Sequence, residues 1–410
     1  MSEQRNISFA NGGDWTSLFA GYATKAGTPI NENSAQRIST VHQCLDVVSR
    51  TIASIPWHLK KNVNGIKSSA NDRAESRLLK RRPHPHYSSY IFRKLLVTSM
   101  MTKGVGAAKI VKDGQRIVSY GVRNASNILP VISPKTDELY YYDYSKNEIT
   151  HSDDMIYVLA HSRDAITPVS IINLHRDGLG TAAKLGDFAS EFWKNGTFIN
   201  GFLETEGTLN KDQKMTLRAE TIQGLGKNGG IGFLEFGMKF KAVGMAMKDA
   251  EFIAFHKHTV TDICRMFGVP PWMVGHYENS NFKSSEHMML SFVNNTVRPY
   301  ANLIDEEFTY KSFDVRNLEN IYSKLELKGL LQGDIKTRAE FNKMMLGVGL
   351  YDIDEVRALE DLNPLPDDLG KTRLVPSNMI SLDHIEEFSK SLAEKVAAKM
   401  EQAEKKETDD

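Results

Sequence analysis

Twelve histidines and several glycine clusters are the residues of this 410-residue sequence whose types could do chemistry. A metal site needs ligands on one face or in one loop. His256 and His258 lie two apart on a predicted helix and point to different faces, so they cannot chelate together. His84 and His86 sit in the proline-broken loop RRPHPHYSS with no Cys or His cluster beside them, and neither HExxH nor a paired CxxC occurs. Gly224, Gly226 and Gly229 match G-x-G-x-x-G, and Gly178, Gly180 and Ala183 match its looser form. A dinucleotide site needs a strand before the glycines and a helix after them. The first match has the reverse order, and the second lies inside a predicted helix. No phosphate loop of the G-x-x-x-x-G-K-[ST] type and no G-x-S-x-G elbow is present. The histidines read as solvated or core residues, and the sequence predicts neither enzyme nor cofactor nor metal.

Bulk properties narrow the class further. The length implies two to four structural regions. Lys plus Arg equals Asp plus Glu, 51 against 51, which argues against tight, static DNA binding but not against a channel through which DNA slides. Two cysteines, Cys44 and Cys264, make no disulfide framework and suit a reducing compartment. The start lacks the charged-then-apolar pattern of a secretory signal, and no apolar run approaches a membrane span. A soluble protein made in the cytosol is expected.

The elements that would position functional residues can be read from periodicity. Residues 1–30 read as an arm. A helix is expected over 39–55, with Val41, Cys44, Leu45, Val48 and Ile52 at helical spacing, Ser39 as a cap and Pro56 as a stop. A strand starting at Trp57, a helix over 89–102 and strands over 107–113, 116–120, 139–144 and 155–160 complete a mixed α+β region. A long helix is expected over 169–194, opened by Pro168 and spanning roughly 39 Å at 1.5 Å per residue. One of its faces carries Gly178, Ala182, Gly186 and Ala189. Interior glycines cost about 1 kcal/mol each relative to alanine, so close approach of another helix is the natural reason for them. That helix could belong to the same subunit or to a neighbour.

An insert follows: strand-like residues 197–203, a helix over 210–222 opened by Asn210, and a hairpin over 231–243. A helix over 248–267 is stopped by Gly268 and Pro270-Pro271. After the polar stretch 275–287, a long helix over 285–311 carries Pro299 as a kink. A strand and turn over 318–331, helices over 334–347 and 352–361 capped by Asp334 and Asp352, and a charged amphipathic helix over 383–403 end the chain.

The most distinctive segment is CRMFGVPPWMVGHYENSNFKSSEHMMLSFVNNTVRPYANLIDEEF, residues 264–308. It resembles the part of phage portal proteins in which a helix ends at F-G-V-P-P, a loop follows, and a long helix carries an L-x-F-x-x-x-T-x-x-P core, here Leu290, Phe292, Thr296 and Pro299. Four further segments match in the same order: VHQCLDVVSRTIASIPWHLKK, RRPHPHYSSYIFRKLLVTSMMTKG, FASEFWKNGTFINGFLETEGTL and LLQGDIKTRAEFNKMMLGVGLYDIDEVRALEDLNPLP. The resemblance spans roughly residues 35–366. It implies the α+β portal fold: a wing (31–167, with 286–332), helical stem (168–196 and 247–270), small α/β clip (197–246), tunnel loop (271–285) and helical crown (333–366), with 367–410 a linker and charged tail.

The resemblance also implies a homo-oligomeric ring, commonly a dodecamer, at one capsid vertex of a virion assembled in the host cytoplasm. Double-stranded DNA would pass through it without sequence specificity. The partners would be the terminase large subunit, the major capsid protein or scaffold, and the head–tail adaptor. The tunnel loop would present Tyr277, Asn279, Ser280, Asn281, Phe282, Lys283, Ser284 and Ser285 to the DNA. The clip would dock terminase and adaptor through Lys211, Lys214, Arg218, Lys227 and Asn228, and the stem would pack through Gly178, Ala182, Gly186 and Ala189. A loop with Lys283 as its one full cation could touch phosphates without trapping them. Two other readings are an ATP-driven translocase, disfavoured by the missing phosphate loop, and a head-completion or tail-ring adaptor, disfavoured by length and by the wing and crown matches.

Overall fold

The computed structural model describes residues 8–9, 24–25, 27–195, 201–204, 210–212, 215, 239–242, 249–276, 288–316, 318, 320–331, 335–360 and 362–373. The chain divides into two compact units, Met1–Gly329 and Leu330–Asp410.

In the first unit the helices are Glu32–Ala35 (α1), Ser39–Ser54 (α2), Ala74–Lys80 (α3), Ser89–Lys103 (α4), Ile171–Leu174 (α5), Arg176–Asn195 (α6), Asp249–Phe267 (α7) and Arg298–Ser312 (α8). The strands are Ser8–Phe9 (β1), Trp57–Val63 (β2), Ile66–Ser69 (β3), Val105–Asp113 (β4), Arg116–Arg123 (β5), Ile128–Ile132 (β6), Leu139–Asp143 (β7), Glu148–His151 (β8), Met155–Leu159 (β9), Gly201–Glu204 (β10), Lys239–Ala242 (β11) and Ile321–Leu325 (β12). They form antiparallel sheets in the orders β1-β6-β7-β8, β12-β2-β3, β5-β4-β9 and β10-β11.

The apolar stripe of α2 is buried as its spacing demands, and Ile55, forced out of helical geometry by the following Pro56, ends it in an extended conformation. Its N-cap is Ile38, with no side-chain cap; Ser39 already lies in the helix, so the expected capping role falls away. Helix α4 packs on α2 and is sharply delimited. Ser88 accepts the Ile91 N–H, and Gly104 closes the other end at φ 82°. A β-carbon at Gly104 would lie 2.3 Å from the Val169 carbonyl oxygen, so only glycine lets β4 start there. Sheets β5-β4-β9 and β1-β6-β7-β8 share a core of Val105, Ala107, Ile128, Tyr141, Met155 and Tyr157.

Helix α8 locks the remaining elements together. Phe308 is fully buried, edge-on to Trp57 of β2 at 4.7 Å and close to Tyr120 of β5 (5.3 Å) and Phe92 of α4 (6.0 Å). Tyr120 donates to Ser312 Oγ at 2.9 Å.

A further expectation is revised, and two others gain detail. Pro168 does not open the long helix: Val169 stays extended, donating to the His161 carbonyl at 2.8 Å, and Ser170 caps a helix that begins at Ile171 and breaks at His175. Lys239–Ala242 pairs with Gly201–Glu204; the other half of the expected 231–243 hairpin lies outside the described residues. The long helix around Pro299 is accommodated by a π-helical turn, Val293–Val297, in which Arg298 donates to the carbonyl five residues back. Proline has no N–H to continue the ladder, and the widened turn absorbs that loss.

The second unit holds helices Lys328–Leu331 (α9, which begins in the first unit), Ile335–Gly347 (α10) and Ile353–Leu359 (α11). Asp352 caps α11 in a reciprocal box with Glu355, as its position predicts. Arg338 pairs with Glu360 at 3.0 Å, and Leu365 N–H donates to Asp354 at 2.8 Å. Asp334 and the expected 383–403 helix lie outside the described residues.

Truncating Phe308→Ala removes the ring on which β2, β5 and α4 converge. A loss of about 3–5 kcal/mol is expected from the transfer and cavity contributions. Urea unfolding of the variant checks this, with Tyr310→Ala, an exposed neighbour, as the control expected to change little.

Candidate functional site

The paired helices α6 and α7 and the junction at the end of α7 are the parts the sequence singles out most strongly. Leu179 and Gly180 form the inward side of α6. A β-carbon on Gly180 would sit 2.5 Å from Thr24 Oγ1, so this glycine lets the N-terminal arm lie directly against the helix. The dinucleotide-like pattern of Gly178, Gly180 and Ala183 is therefore a packing feature inside a helix. On the stripe beside it, Gly178 and Gly186 are exposed and Ala182 and Ala189 half-buried. Gly178 faces Met266 of α7, whose methyl group would be 3.4 Å from an added β-carbon; Gly186 has no described atom within 4 Å of that position. At Gly178 the stripe touches its own subunit, and at Gly186 no described residue covers it.

Helix α7 is anchored by Ile263, Cys264 and Phe267, all buried. Cys264 and Cys44 of α2, 220 positions apart in sequence, meet in the core. A hydrogen bond from the Cys44 thiol, together with burial, holds Cys44 protonated far above the ordinary thiol range. Helix α7 ends in a Schellman arrangement: Val269 N–H donates to the Cys264 carbonyl at 2.9 Å, and Gly268 takes φ 65°. Pro270 is extended, and Pro271–Val274 forms a 3₁₀ turn closed by Gly275 at φ 87°.

The two halves of the signature segment then meet. Thr296 Oγ1, in the π-helical turn, donates to the Gly268 carbonyl at 2.6 Å. A β-carbon on Gly268 would come within 2.9 Å of that hydroxyl oxygen. The glycine, the threonine and Pro299 thus form one clasp: the proline forces the wide turn, the turn carries Thr296, and Thr296 fixes the end of α7. The chain leaves this clasp at Gly275 and re-enters helix at Met288, so both ends of the intervening polar stretch are held by described structure.

Downstream, Asp305 of α8 is buried and accepts the Leu325 N–H with both oxygens, at 3.0 and 2.9 Å, and the Ser323 hydroxyl at 3.3 Å. Burial pushes its carboxyl up to about 6 against the opposing pull of the Leu325 N–H. The Trp57 indole N–H lies near this carboxylate without reaching hydrogen-bonding geometry. Glu307 accepts the Tyr157 N–H at 3.1 Å and is also raised by burial.

No grouping of three or more His, Cys, Asp or Glu able to hold a metal exists among the described residues, and no helix among them is long and apolar enough to cross a membrane. His84 stacks on Tyr87 at 4.8 Å, and His258 pairs with Asp262 on the exposed side of α7.

The sequence pattern of the family described as phage portal protein matches residues 39–361. The chain belongs to this family. It is 26% identical over 371 residues to the portal protein of Enterobacteria phage HK97, covering 87% of this chain and 86% of that one. It is 25% identical over 375 residues to the probable portal protein of Streptomyces phage phiC31, covering 88% and 82%. Its fold is similar to the crystal structure of an HK97-family portal protein from Corynebacterium diphtheriae, with TM-score 0.54, 14% identity, and 77% of this chain and 98% of that one covered. It is also similar to a chain in the neck of a native gene transfer agent particle computed with C12 symmetry, with TM-score 0.53, 17% identity, and 86% and 100% covered. The α+β portal fold and a portal role are thereby established, and the family is structural rather than enzymatic.

The expected tunnel residues Tyr277, Asn279, Ser280, Asn281, Phe282, Lys283, Ser284 and Ser285 lie outside the described residues, as do Lys214, Arg218, Lys227 and Asn228 of the clip. Lys211 is described: helical and exposed. The residues that sequence reasoning did not single out are Asp305, Glu307 and the Cys44–Cys264 contact. The carboxylates had a legible signal, two acids on a helix whose Ile304 and Phe308 mark it as buried. Nothing in the spacing of the cysteines could have shown that they meet.

Two outcomes follow. Gly186→Leu meets no described atom and removes a poor helix former, so the isolated subunit should unfold at an equal or slightly higher temperature; a clear fall in unfolding temperature would mean its own chain packs there. For Asp305, a folded pKa near 6 exceeds the unfolded value of roughly 4. Wild-type stability relative to Asp305→Asn should therefore rise as pH falls through 6 and level off near about 4, by roughly 2–3 kcal/mol. Urea midpoints of both proteins across that window measure it, and a constant gap would refute it.

Proposed function

We propose that copies of this chain close into a ring, most simply of twelve, that forms the DNA channel at one capsid vertex and serves packaging, retention and ejection of the genome. The observation that carries this reading is the family match over residues 39–361, which takes in four of the five collinear segments whole and all but the last five residues of the fifth. A portal-like chain in a neck solved with C12 symmetry supports the count of twelve. A heterologous ring requires two different complementary surfaces on each subunit. Self-association is favoured by the part of the Gly178–Ala182–Gly186–Ala189 stripe that no described residue covers and by Phe341, Met344 and Val348, exposed at i, i+3 and i+7 on and just after α10.

In this arrangement α6 and α7 form the stem, 197–246 the clip that docks the terminase large subunit and later the adaptor, and 333–366 the crown. The loop over 271–285 lines the tunnel. Its rigid base at Pro270–Gly275 and the clasp between Thr296 and Gly268 favour a loop held at fixed ends over the channel. Lys283 would place one cation per subunit in a belt around passing DNA, dense enough to meet phosphates and sparse enough to release them. The assembled protein would be a virion component built in the host cytoplasm, beside the capsid protein or scaffold.

A ring of twelve 46.1 kDa subunits would weigh roughly 550 kDa, and native mass spectrometry should find that species. Only monomers and dimers across assembly conditions would defeat the reading. Gly186→Leu should abolish ring formation while sparing the folded subunit. Lys283→Glu should leave rings intact and reduce encapsidated DNA and infectious yield, because a belt of like charge repels the duplex within about a Debye length, roughly 8 Å. Wild-type packaging in Lys283→Glu would remove this residue from the channel's working surface.

A further inference from the structure

The chain as a whole is neutral, but residues 57–82 are not. They hold eight Lys and Arg against two acids, and one of those acids, Glu75, is buried in an ion pair with Arg316 at 3.1 Å. The fold brings Lys60, Lys67, Arg73, Arg77, Lys80 and Arg81 toward one surface, while Lys61 alternates to the other side of β2. In the sheet β12-β2-β3, the inner side is apolar, with Trp57, Leu59, Ile321 and Leu325 buried. Because side chains alternate along a strand, the residues between these point outward. They are His58 and Lys60 on β2 and, directly opposite them, Lys324 and Tyr322 on β12. On the other flank Ser69 stands opposite Lys60, and Lys67 opposite Asn62.

Helix α3 packs beside β2 and extends this surface. Its buried side is Glu75, Ser76 and Leu79. Arg73, Arg77, Lys80 and Arg81 recur at i, i+4, i+7 and i+8, which puts them together on its outer side. Lys80 comes near enough to His58 that, after burial, its charge and that of Lys60 depress the imidazole further. A cross-strand Lys–His pair and clustered lysines are unfavourable in an isolated sheet. The carboxylates available to offset them among the described residues are few: Glu326, paired with Lys60 at 3.1 Å, and Asp72 in the turn after β3.

We infer that this sheet-and-helix face is a second DNA-contacting surface, separate from the channel loop, that binds the phosphate backbone of duplex DNA without reading sequence. The inference rests on the portal reading only for which polyanion is at hand. Its residue types suit phosphates: lysine supplies a hydrated point charge, and Ser69, Asn62 and Tyr322 supply neutral donors of the kind that position a backbone. On this face His58, Lys60, Tyr322 and Lys324 are half-buried and Asn62, Lys67 and Ser69 exposed, so it would meet a backbone from outside rather than enter a groove. Binding is therefore weak, steeply salt-dependent and indifferent to sequence.

The test uses the full chain, assembled as rings, with a fluorescent duplex of mixed sequence as the probe across a salt series. The triple variant K67E/K80E/K324E should bind at least tenfold more weakly at low salt. Its log–log salt slope should be shallower by about 3, near 0.9 for each lost phosphate contact. The neutral variant K67Q/K80Q/K324Q should fall between, and circular dichroism of each separates loss of binding from loss of folding. Unchanged affinity and slope in the folded triple variant would overturn the inference. The same result accompanied by failure to enter capsids would assign the face to an acidic protein partner instead. Absence of rings in every variant and in the wild type would count against the portal reading, while duplex binding by the subunit would still decide this surface.

Discussion

Phe308 and Asp305, one turn apart on α8, set the constraint from which the first unit is built. The ring meets Trp57, Tyr120 and Phe92, residues from three elements distant in sequence. The carboxylate beside it takes the Leu325 N–H and so fixes the strand that pairs with β2. Glu307, on an adjoining part of the helix, takes the Tyr157 N–H from the edge of another sheet. One helix thus holds strands of two sheets through its acids, Asp305 buried and Glu307 half-buried. Removing a partner from such an acid leaves a desolvated carboxylate, which costs far more than a surface contact returns.

The same economy appears where the core holds cations. Arg93 is buried with no carboxylate paired to it among the described residues. It donates to the carbonyls of Ile55 and Ser89 and lies over Trp57, and burial pushes it down to about 10. The Ile55 carbonyl is at the C-terminal end of α2, where the helix dipole is negative, so backbone partly replaces a counter-ion. Arg316 and Glu75 do pair, and Arg316 also holds the Ser312 and Gln115 carbonyls. Buried charge in this unit goes to joining elements rather than to chemistry, which accords with a structural family.

From α8 the rigidity passes through the π-helical turn to the end of α7. Pro299 alone would have kinked a helix. Combined with Thr296 and Gly268 it becomes a joint with defined geometry, and it stands where the chain leaves for the polar stretch after Gly275. The joint fixes the end of α7 at the point from which the chain continues past Gly275.

Sequence alone determined the fold class, the boundaries of helices such as α2, α4 and α7 and the family, because these rest on local spacing and on collinear motifs. Helix α2 and the stop at Gly268-Val269-Pro270-Pro271 are set by residues within a few positions of each other. Shorter elements such as α3, β3, β6 and β8 were not legible, since four to seven residues with at most three buried side chains carry no reliable period. Tertiary structure alone decided that Cys44 meets Cys264, that Thr296 seals Gly268, and that Asp305 rather than any histidine is the buried acid that matters. It also showed why Gly180 and Gly178, two apart on one helix, differ: one receives the arm and the other faces Met266. Register decided the basic face, because Lys60, Lys67 and Lys324 share a side only once β12, β2 and β3 are paired. Each of these depends on contacts between residues far apart in the chain, whose proximity is fixed by chain packing and not by any local preference.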